Sequence, residues 1–300
     1  ISLTDRGCYE VGVRSLPLGS PKTVQDLVGH QPYRTIRARC VVVGAGVTGS
    51  LQLLLNSARH GLPAPPALGQ RFHTNGDLFC VAELPRDMKT SDSEEFLLGT
   101  APGRIAGATC GPGPGIESMA SRATPNCRMV IQDLRVPHAL GPLFQLLAGS
   151  THRHAYWLGM FDDPARCAAS VRRDGTLAIN TKGLRTTRQY AAAVSMMRQL
   201  ATATGARPLL PVELVWKHRS YTAHPLGGCT MANDGTQGSV NARCQLFSGP
   251  SVNAHAGLYV VDGAVIPRAL LVNPLLTITA NAERVATQLR HEPVFRDIFA

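Results

Sequence analysis

Short apolar runs recur along the chain, separated by stretches rich in glycine and proline. Six runs alternate apolar with polar residues or are apolar throughout, which predicts strands at 9–15, 33–43, 78–82, 129–131, 155–160 and 257–262. In the second run the alternation ends at Val41, Val42 and Val43, a change typical of a strand that enters a buried parallel sheet.

Apolar residues at helical spacing predict helices at 50–57, 187–204 and 275–290. The stretch Gly61-Leu62-Pro63 ends the first of them. In the second, Met196 and Met197 are predicted to pack in the core rather than to form a cofactor contact. Strands and helices are therefore mixed along the chain.

Composition excludes some classes of function. The 300 residues are 44% hydrophobic, enough for one large domain or two smaller ones. The net charge is +10, but the basic residues are scattered and aromatics make up 5%, which favours an arginine-rich surface over a nucleic-acid interface. The cysteines lack C-x-x-C spacing, and His152-Arg153-His154 has no further ligands nearby, so no metal site is predicted.

The sequence gives little information on location. No apolar run is long enough to span a bilayer. The first residues show neither an initiator methionine nor a signal-peptide pattern, so we expect the natural chain to begin upstream. The compartment is left open, with the cytoplasm as the default.

The motif Gly44-Ala45-Gly46-Val47-Thr48-Gly49 matches the G-x-G-x-x-G fingerprint of dinucleotide-binding folds. That fingerprint also needs a second strand and an acidic residue about 20 positions later. Here the proline-rich stretch 63–69 cannot form a buried strand, and no acidic residue occurs between Gly49 and Asp77. An NAD(P)-dependent dehydrogenase using Gly44–Gly49 stays an alternative, and the motif is interpreted first as a tight strand-to-helix turn.

Three segments that follow one another along the chain resemble a known family: 221–229, 257–267 and 272–284. They resemble the C-terminal part of the glucose–methanol–choline (GMC) flavin oxidoreductases, and among these they resemble the cholesterol-oxidase-like branch. Residues 43–55 resemble an internal signature of that family, and Asn75-Gly76-Asp77 resembles the Asn-Gly segment after it. The N-terminal FAD fingerprint of the family has no counterpart here, so the resemblance implies a chain lacking its N-terminal FAD-binding segment.

The resemblance implies an FAD site and its residues. His224, in His-Pro-Leu-Gly-Gly, would be the catalytic base, although a lone histidine is more often structural. Asn273 would be its catalytic partner and would also contact the cofactor, while a plain helix cap is the alternative. The other cofactor-binding residues would be Asp262, Gly263, Pro274 and Leu275. Pro274 is expected at the first helical position, where its missing N–H costs nothing.

The implied fold is α/β with mixed helices and sheet: a partial, Rossmann-like FAD-binding domain and a substrate domain with an antiparallel sheet. The FAD-binding parts would be residues 1–65 and 222–291, and the substrate-binding domain residues 66–221.

The implied function is FAD-dependent oxidation of a small-molecule alcohol, with a sterol or other lipophilic alcohol as candidate substrate. Residues 136–143 roughly match the place where cholesterol oxidases carry a glutamate for steroid isomerisation, and they contain no carboxylate. A non-catalytic, truncated GMC paralogue is the second alternative, and the isolated chain is expected to lack activity if the missing segment is essential.

Overall fold

The computed structural model describes residues 1–4, 7–13, 34–83, 127–133, 154–203, 205–209 and 222–292. The strands are β1 (Ser2–Leu3), β2 (Tyr9–Val13), β3 (Arg34–Ala38), β4 (Val41–Val43), β5 (Asp77–Glu83), β6 (Met129–Asp133), β7 (His154–Phe161), β8 (Ala168–Val171), β9 (Leu177–Asn180), β10 (Arg207–Leu209), β11 (Gln245–Phe247) and β12 (Ala254–Val260). The helices are α1 (Gly46–Arg59), α2 (Lys182–Arg185), α3 (Arg188–Ala203) and α4 (Leu275–Leu289), with a 3₁₀ helix at Gly263–Val265.

The mixed fold predicted from the sequence is confirmed, and each predicted run overlaps an observed element. The run 33–43 holds two strands, because β3 pairs antiparallel with β2 while β4 pairs in parallel with β12. The expectation that β4 lies in a sheet buried on both faces is wrong at Val42, and Val41 is only half-buried. The side chain of Val42 is 47% exposed, whereas Val43, on the opposite face of the strand, is 3% exposed.

The chain divides into two compact units, and the first combines residues 1–74, 164–184 and 224–300. Its mixed sheet has the order β11-β12-β4, beside an antiparallel sheet β1-β2-β3 and the hairpin β8-β9. Helix α1 packs against the 3₁₀ helix and β8, and its Leu51 and Leu54 are fully buried. The sheet therefore brings β4 beside β12, which lies much later in the sequence.

The second unit combines residues 75–163 and 185–223. It contains the antiparallel sheet that the family resemblance implies, with strand order β10-β5-β7-β6, and α3 packs against β5, β7 and β10. Met196 and Met197 of α3 are 6% and 3% exposed, so their predicted place in the core is confirmed. Gly159 in β7 leaves room for Met129, whose Cε occupies the space that a Cβ would fill.

The predicted functional division at residues 65/66 and 221/222 stays a prediction, since compact units are defined by packing and not by ligand binding. Residues 136–143 and two members of His152-Arg153-His154 lie outside the described residues. Within the described part of the chain, no helix has both the length and the hydrophobicity to cross a bilayer.

Candidate active site

Strands β4 and β12 end side by side. Their parallel register aligns Val43 with Val260, and the amide of Val261 donates to the carbonyl of Val43 at 3.0 Å. Beyond this point the chain enters α1 from β4 and the 3₁₀ helix from β12. Open α/β sheets bind ligands at the carboxyl ends of their strands, so the candidate site is expected where β4 and β12 end.

The motif Gly44–Gly49 forms the turn from β4 into α1. Gly46, the first residue of α1, has φ +72°, and a Cβ at this position would meet no atom within 4 Å. The first turn of α1 contains no acidic residue and Ala45 supplies no side-chain cap, so the positive end of the helix faces open space. Residues 63–69 form no strand, and the parallel neighbour of β4 is β12. The second strand of a dinucleotide-binding βαβ unit therefore does not follow the motif.

A buried hydrogen-bond network joins the turn that follows β4 to the turn that follows β12. It is formed by Ser50 and Asp262. The Ser50 hydroxyl donates to Oδ2 of Asp262 and accepts from the amide of Ala45 at 3.1 Å. Oδ1 of Asp262 accepts from the amide of Ala264 at 2.9 Å. Ser50 is fully buried and Asp262 is 9% exposed. Both carboxylate oxygens of Asp262 thus hold the protein itself together at the edge of the sheet.

Gly263 is the position where three segments meet. A Cβ on this buried residue would lie 3.0 Å from Leu226 Cδ2, 3.0 Å from Val47 Cγ2 and 3.1 Å from Ile278 Cδ1. These side chains belong to the segment after His224, to α1 and to the second turn of α4. A side chain on residue 263 would push all three apart, so the absence of a Cβ lets them converge.

The segment that follows His224 runs along the 3₁₀ helix. The amides of Gly227, Cys229 and Met231 each donate at 3.0 Å to the carbonyls of residues 263, 264 and 265 in turn. Gly227 and Gly228 have φ +75° and +85°, and a Cβ on Gly228 would lie 2.6 Å from Leu51. Both glycines of His-Pro-Leu-Gly-Gly are therefore needed for backbone conformation and for close packing.

His224 is half-buried and its backbone is held on both sides. Before it, the amide of Ala223 donates to Asp77 Oδ2 at 2.8 Å. After it, Leu226 exchanges two backbone hydrogen bonds with His73, at 2.9 and 3.0 Å. The backbone of His224 is therefore flanked by hydrogen-bonded residues on both sides, at Ala223 and at Leu226.

Helix α4 begins at Leu275 as predicted, but Pro274 is its N-cap residue and not its first helical residue, as had been expected. Pro274 occupies the N-cap position with helical backbone angles and no side-chain cap, because its carbonyl accepts the first helical bond, from Ile278 N at 2.9 Å. Asn273 is half-buried just before it. Leu275 and Leu276 are 71% and 82% exposed, so the start of α4, with its amide groups, lies at the surface.

The buried cysteines of this region do not suit nucleophilic chemistry. Cys229 and Cys244 are fully buried. Burial, with the nearby charge of Asp262 as a second cause, strongly raises the pKa of the Cys229 thiol. Burial also raises the pKa of Cys244, despite hydrogen bonds from Asn281 and Arg284 that act in the opposite direction. A thiol nucleophile needs a lowered pKa, so these residues act as small apolar side chains.

Two helix starts in this unit could hold the anionic part of a cofactor. The open space at Gly46 and the surface start of α4 each offer the positive end of a helix without an acidic residue in its first turn. Such ends favour the negative charge carried by phosphates and by a reduced flavin ring. Within the described residues, no group of three His, Cys, Asp or Glu side chains could hold a metal ion.

The structure thus brings Gly263 against residues of the His224 segment and of α4, and it gives Asp262 a role in holding the fold. The catalytic and cofactor-binding roles of His224, Asn273, Asp262, Gly263, Pro274 and Leu275 stay predictions. Sequence reasoning missed the contacts of Ser50, His73 and Asp77. Only Asp77 gave a signal, through its place in the Asn-Gly-Asp segment.

Parts of the chain are similar in sequence to known oxidoreductases. Residues 164–282 match the family model of the C-terminal domain of the GMC oxidoreductases. The chain is 33% identical over 91 residues to the cholesterol oxidase of Acinetobacter baumannii, covering 30% of this chain and 15% of that protein. It is 42% identical over 66 residues to the cholesterol oxidase of Mycobacterium tuberculosis, covering 22% of this chain and 10% of that protein.

Among solved structures, the pyridoxine 4-oxidase from Mesorbium loti is similar in fold, with a TM-score of 0.50 and 20% sequence identity. The alignment covers 88% of this chain and 54% of that one. The chain thus spans only about half of the similar solved structure and a much smaller part of the curated relatives. These matches confirm the family resemblance seen in the sequence.

Proposed function

We propose that this chain, which contains a GMC oxidoreductase C-terminal domain, belongs to an FAD-dependent enzyme that oxidises an alcohol. The observation that supports this most strongly is the packing at Gly263, where the His224 segment and α4 meet through Leu226 and Ile278. Alcohol oxidation needs a proton acceptor and a hydride acceptor close together. This packing supports the proposal because the segment that carries His224 and the helix proposed to contact the flavin both pack on Gly263.

His224 is the proton acceptor in this proposal. Histidine changes charge near neutral pH, so it can take the hydroxyl proton of the alcohol and later release it. The half-buried position of His224 leaves part of its side chain accessible to a substrate, and the tied backbone around it limits its movement. The proton moves from the substrate oxygen to a ring nitrogen of His224.

Asn273 orients the alcohol in this proposal. Its side-chain amide can donate to the substrate oxygen while His224 accepts the proton, and an amide has no charge to change during the reaction. Asn273 directly precedes the N-cap of α4, so its backbone is fixed by the helix start.

FAD, when bound, would supply the hydride acceptor. Asp262, Gly263, Pro274 and Leu275 would lie along it, with the backbone of Gly263 and the amides at the start of α4 as contacts. The positive end of α4 favours negative charge in its neighbourhood, and its surface position leaves those amides accessible. These residues bind and orient the cofactor in this proposal and do not exchange protons with the substrate.

The substrate class proposed is a lipophilic alcohol such as a sterol. The two cholesterol oxidases support it only over short matched regions. A second support is the apolar surface around Asn273, where Val272, Leu275 and Leu276 are 46%, 71% and 82% exposed. Exposed large apolar side chains that cluster on a surface commonly mark a binding site.

The first prediction is that His224→Ala in the natural, flavin-loaded protein lowers kcat by about 10²- to 10⁴-fold, the range for loss of a general base. The KM for the alcohol should change little, because the imidazole acts on the proton rather than on the apolar body of the substrate. The measurement is steady-state turnover on a panel of primary, secondary and sterol alcohols. His60→Ala, an exposed histidine at the end of α1, is the matched control and should keep normal turnover.

The results also separate the alternatives. Turnover unchanged by His224→Ala rules out the assigned base. A protein that carries no flavin absorbance and reduces NAD(P)⁺ in the presence of an alcohol would instead support a dehydrogenase using Gly44–Gly49. A flavin-free protein with no turnover on any alcohol would support a non-catalytic paralogue.

A further inference from the structure

A buried carboxylate lies beside the chain that carries His224. Oδ2 of Asp77 accepts from the amide of Ala223 at 2.8 Å and from the hydroxyl of Thr222 at 3.0 Å. Asp77 is 6% exposed. A carboxylate is costly to bury, and hydrogen bonds to an ionised acceptor are about twice as strong as those between neutral groups. The residue just before His224 is thus held by one of the stronger contacts the chain can make.

The position of Asp77 is itself fixed. Asp77 is the first residue of β5 and pairs with Met160 of β7. The turn before it uses Asn75 and Gly76 at φ 56° and 72°, and a Cβ on Gly76 would overlap the backbone of Phe161. The carboxylate is therefore presented from a rigid strand start rather than from a mobile loop.

The far side of His224 is held independently. Leu226 forms two backbone hydrogen bonds with His73, whose ring is fully buried and lies against Gly227, with Nε2 3.3 Å from the carbonyl of Ile266. Pro225 adds its own restriction on the backbone between these anchors. Release of the Ala223 anchor would free the N-terminal side of His224 while the C-terminal side stays in place.

We propose that Asp77 is a positioning residue that sets the location of the His224 imidazole through the amide of Ala223. This inference rests on the proposed role of His224 as proton acceptor. Displacement of a catalytic group by about 1 Å can lower a rate by about 10²-fold. Asp77 acts on His224 through the backbone and makes no contact with the reacting atoms in this proposal.

The test compares Asp77→Ala and Asp77→Asn in the natural, flavin-loaded protein. We expect Asp77→Ala to lower kcat by about 30- to 100-fold with less than about a 3-fold change in KM, since misplacement affects the chemical step. Asp77→Asn keeps an acceptor oxygen but loses the charge, so its kcat should fall by only about 3- to 10-fold.

Asp174 provides a matched control. Its Oδ1 accepts from the amide and the hydroxyl of Thr176 at 2.9 and 2.7 Å. It therefore also accepts from one amide and one hydroxyl, but on an exposed turn between β8 and β9. Asp174→Ala should leave kcat and KM unchanged. An equal loss of activity in both alanine variants would overturn a specific role for Asp77.

A second readout does not depend on activity. Hydrogen–deuterium exchange of the peptide containing Ala223, measured on the protein without cofactor, should be faster in Asp77→Ala and intermediate in Asp77→Asn. If Asp77→Ala does not fold, Asp77→Asn decides the question. A folded Asn variant with unchanged exchange and unchanged kcat would overturn the proposal.

A double-mutant cycle separates this inference from the proposed function. If Asp77 acts through His224, Asp77→Ala should lower kcat little or not at all once His224 is already alanine. Two effects that multiply independently would overturn the positioning role. If His224→Ala itself leaves turnover unchanged, the proposed function fails. If His224→Ala abolishes turnover while both Asp77 variants behave as wild type, only the positioning role fails.

Discussion

Tyr9 shows how one side chain in β2 couples the fold to pH. Its ring is 1% exposed and its hydroxyl donates to the carbonyl of Ala256 at 2.7 Å. Burial, with a smaller effect from Cys40, raises the pKa of Tyr9 to about 12. The folded protein therefore keeps the proton of Tyr9 at a pH where the unfolded chain has lost it.

Because the pKa of Tyr9 is raised on folding, the stability of the protein should fall at high pH. A group whose pKa is raised on folding contributes stability that is complete below its unfolded pKa, near 10 for tyrosine, and is lost as pH rises toward the folded value. We predict that the free energy of unfolding falls between about pH 10 and about pH 12, and that Tyr9→Phe removes part of this slope. The variant should also lose about 1 kcal/mol at neutral pH with the hydrogen bond to Ala256. Urea unfolding at a series of pH values is the measurement, and an identical slope in both proteins would contradict the prediction.

At the scale of elements, α1 and the 3₁₀ helix are joined by one buried hydroxyl. Ser50→Ala should leave the buried carboxylate of Asp262 short of a partner and should also remove the acceptor of the Ala45 amide. We predict a loss of about 2–3 kcal/mol in the free energy of unfolding, the cost of leaving buried polar groups unsatisfied. Ser251→Ala, on an exposed turn, is the control and should change stability by less than about 0.5 kcal/mol. Equal stability of the two variants in urea would contradict a structural role for this network.

The elements that could be predicted from sequence are those determined by residues close together in the chain. Helices α3 and α4 lie within about one residue of prediction because their apolar stripes repeat every three to four positions. The separation of β3 from β4 was not predictable, because it depends on which distant strand each one pairs with. Gly227 and Gly228 indicated close packing, but the partners Arg71 and Leu51 are set by the tertiary fold. The contact of Asp77 with Ala223 joins residues 146 apart, and no local pattern predicts it.

At the scale of the whole molecule, cofactor binding should be visible as stability. A ligand that binds only the folded state adds about 2.7 kcal/mol at 100 times its Kd. We predict that FAD raises the thermal midpoint of the natural protein after removal of its cofactor, whereas NAD⁺ does not. Thermal scans with each compound at matched concentrations are the measurement. A shift with NAD⁺ alone would favour the dehydrogenase alternative.

The hydrogen bond between Ser50 and Asp262 joins residues that are 212 positions apart. It can therefore form only late in synthesis of the chain. Ribosomes add about 5–20 residues per second, so roughly 10–40 s pass between the emergence of these two residues. Throughout that interval β4 lacks its parallel neighbour, and an unpaired strand edge invites aggregation. We therefore expect aggregation of the nascent chain to be a risk until β12 is synthesised. A premature stop codon before Asp262 would yield a product that lacks the bond between Ser50 and Asp262.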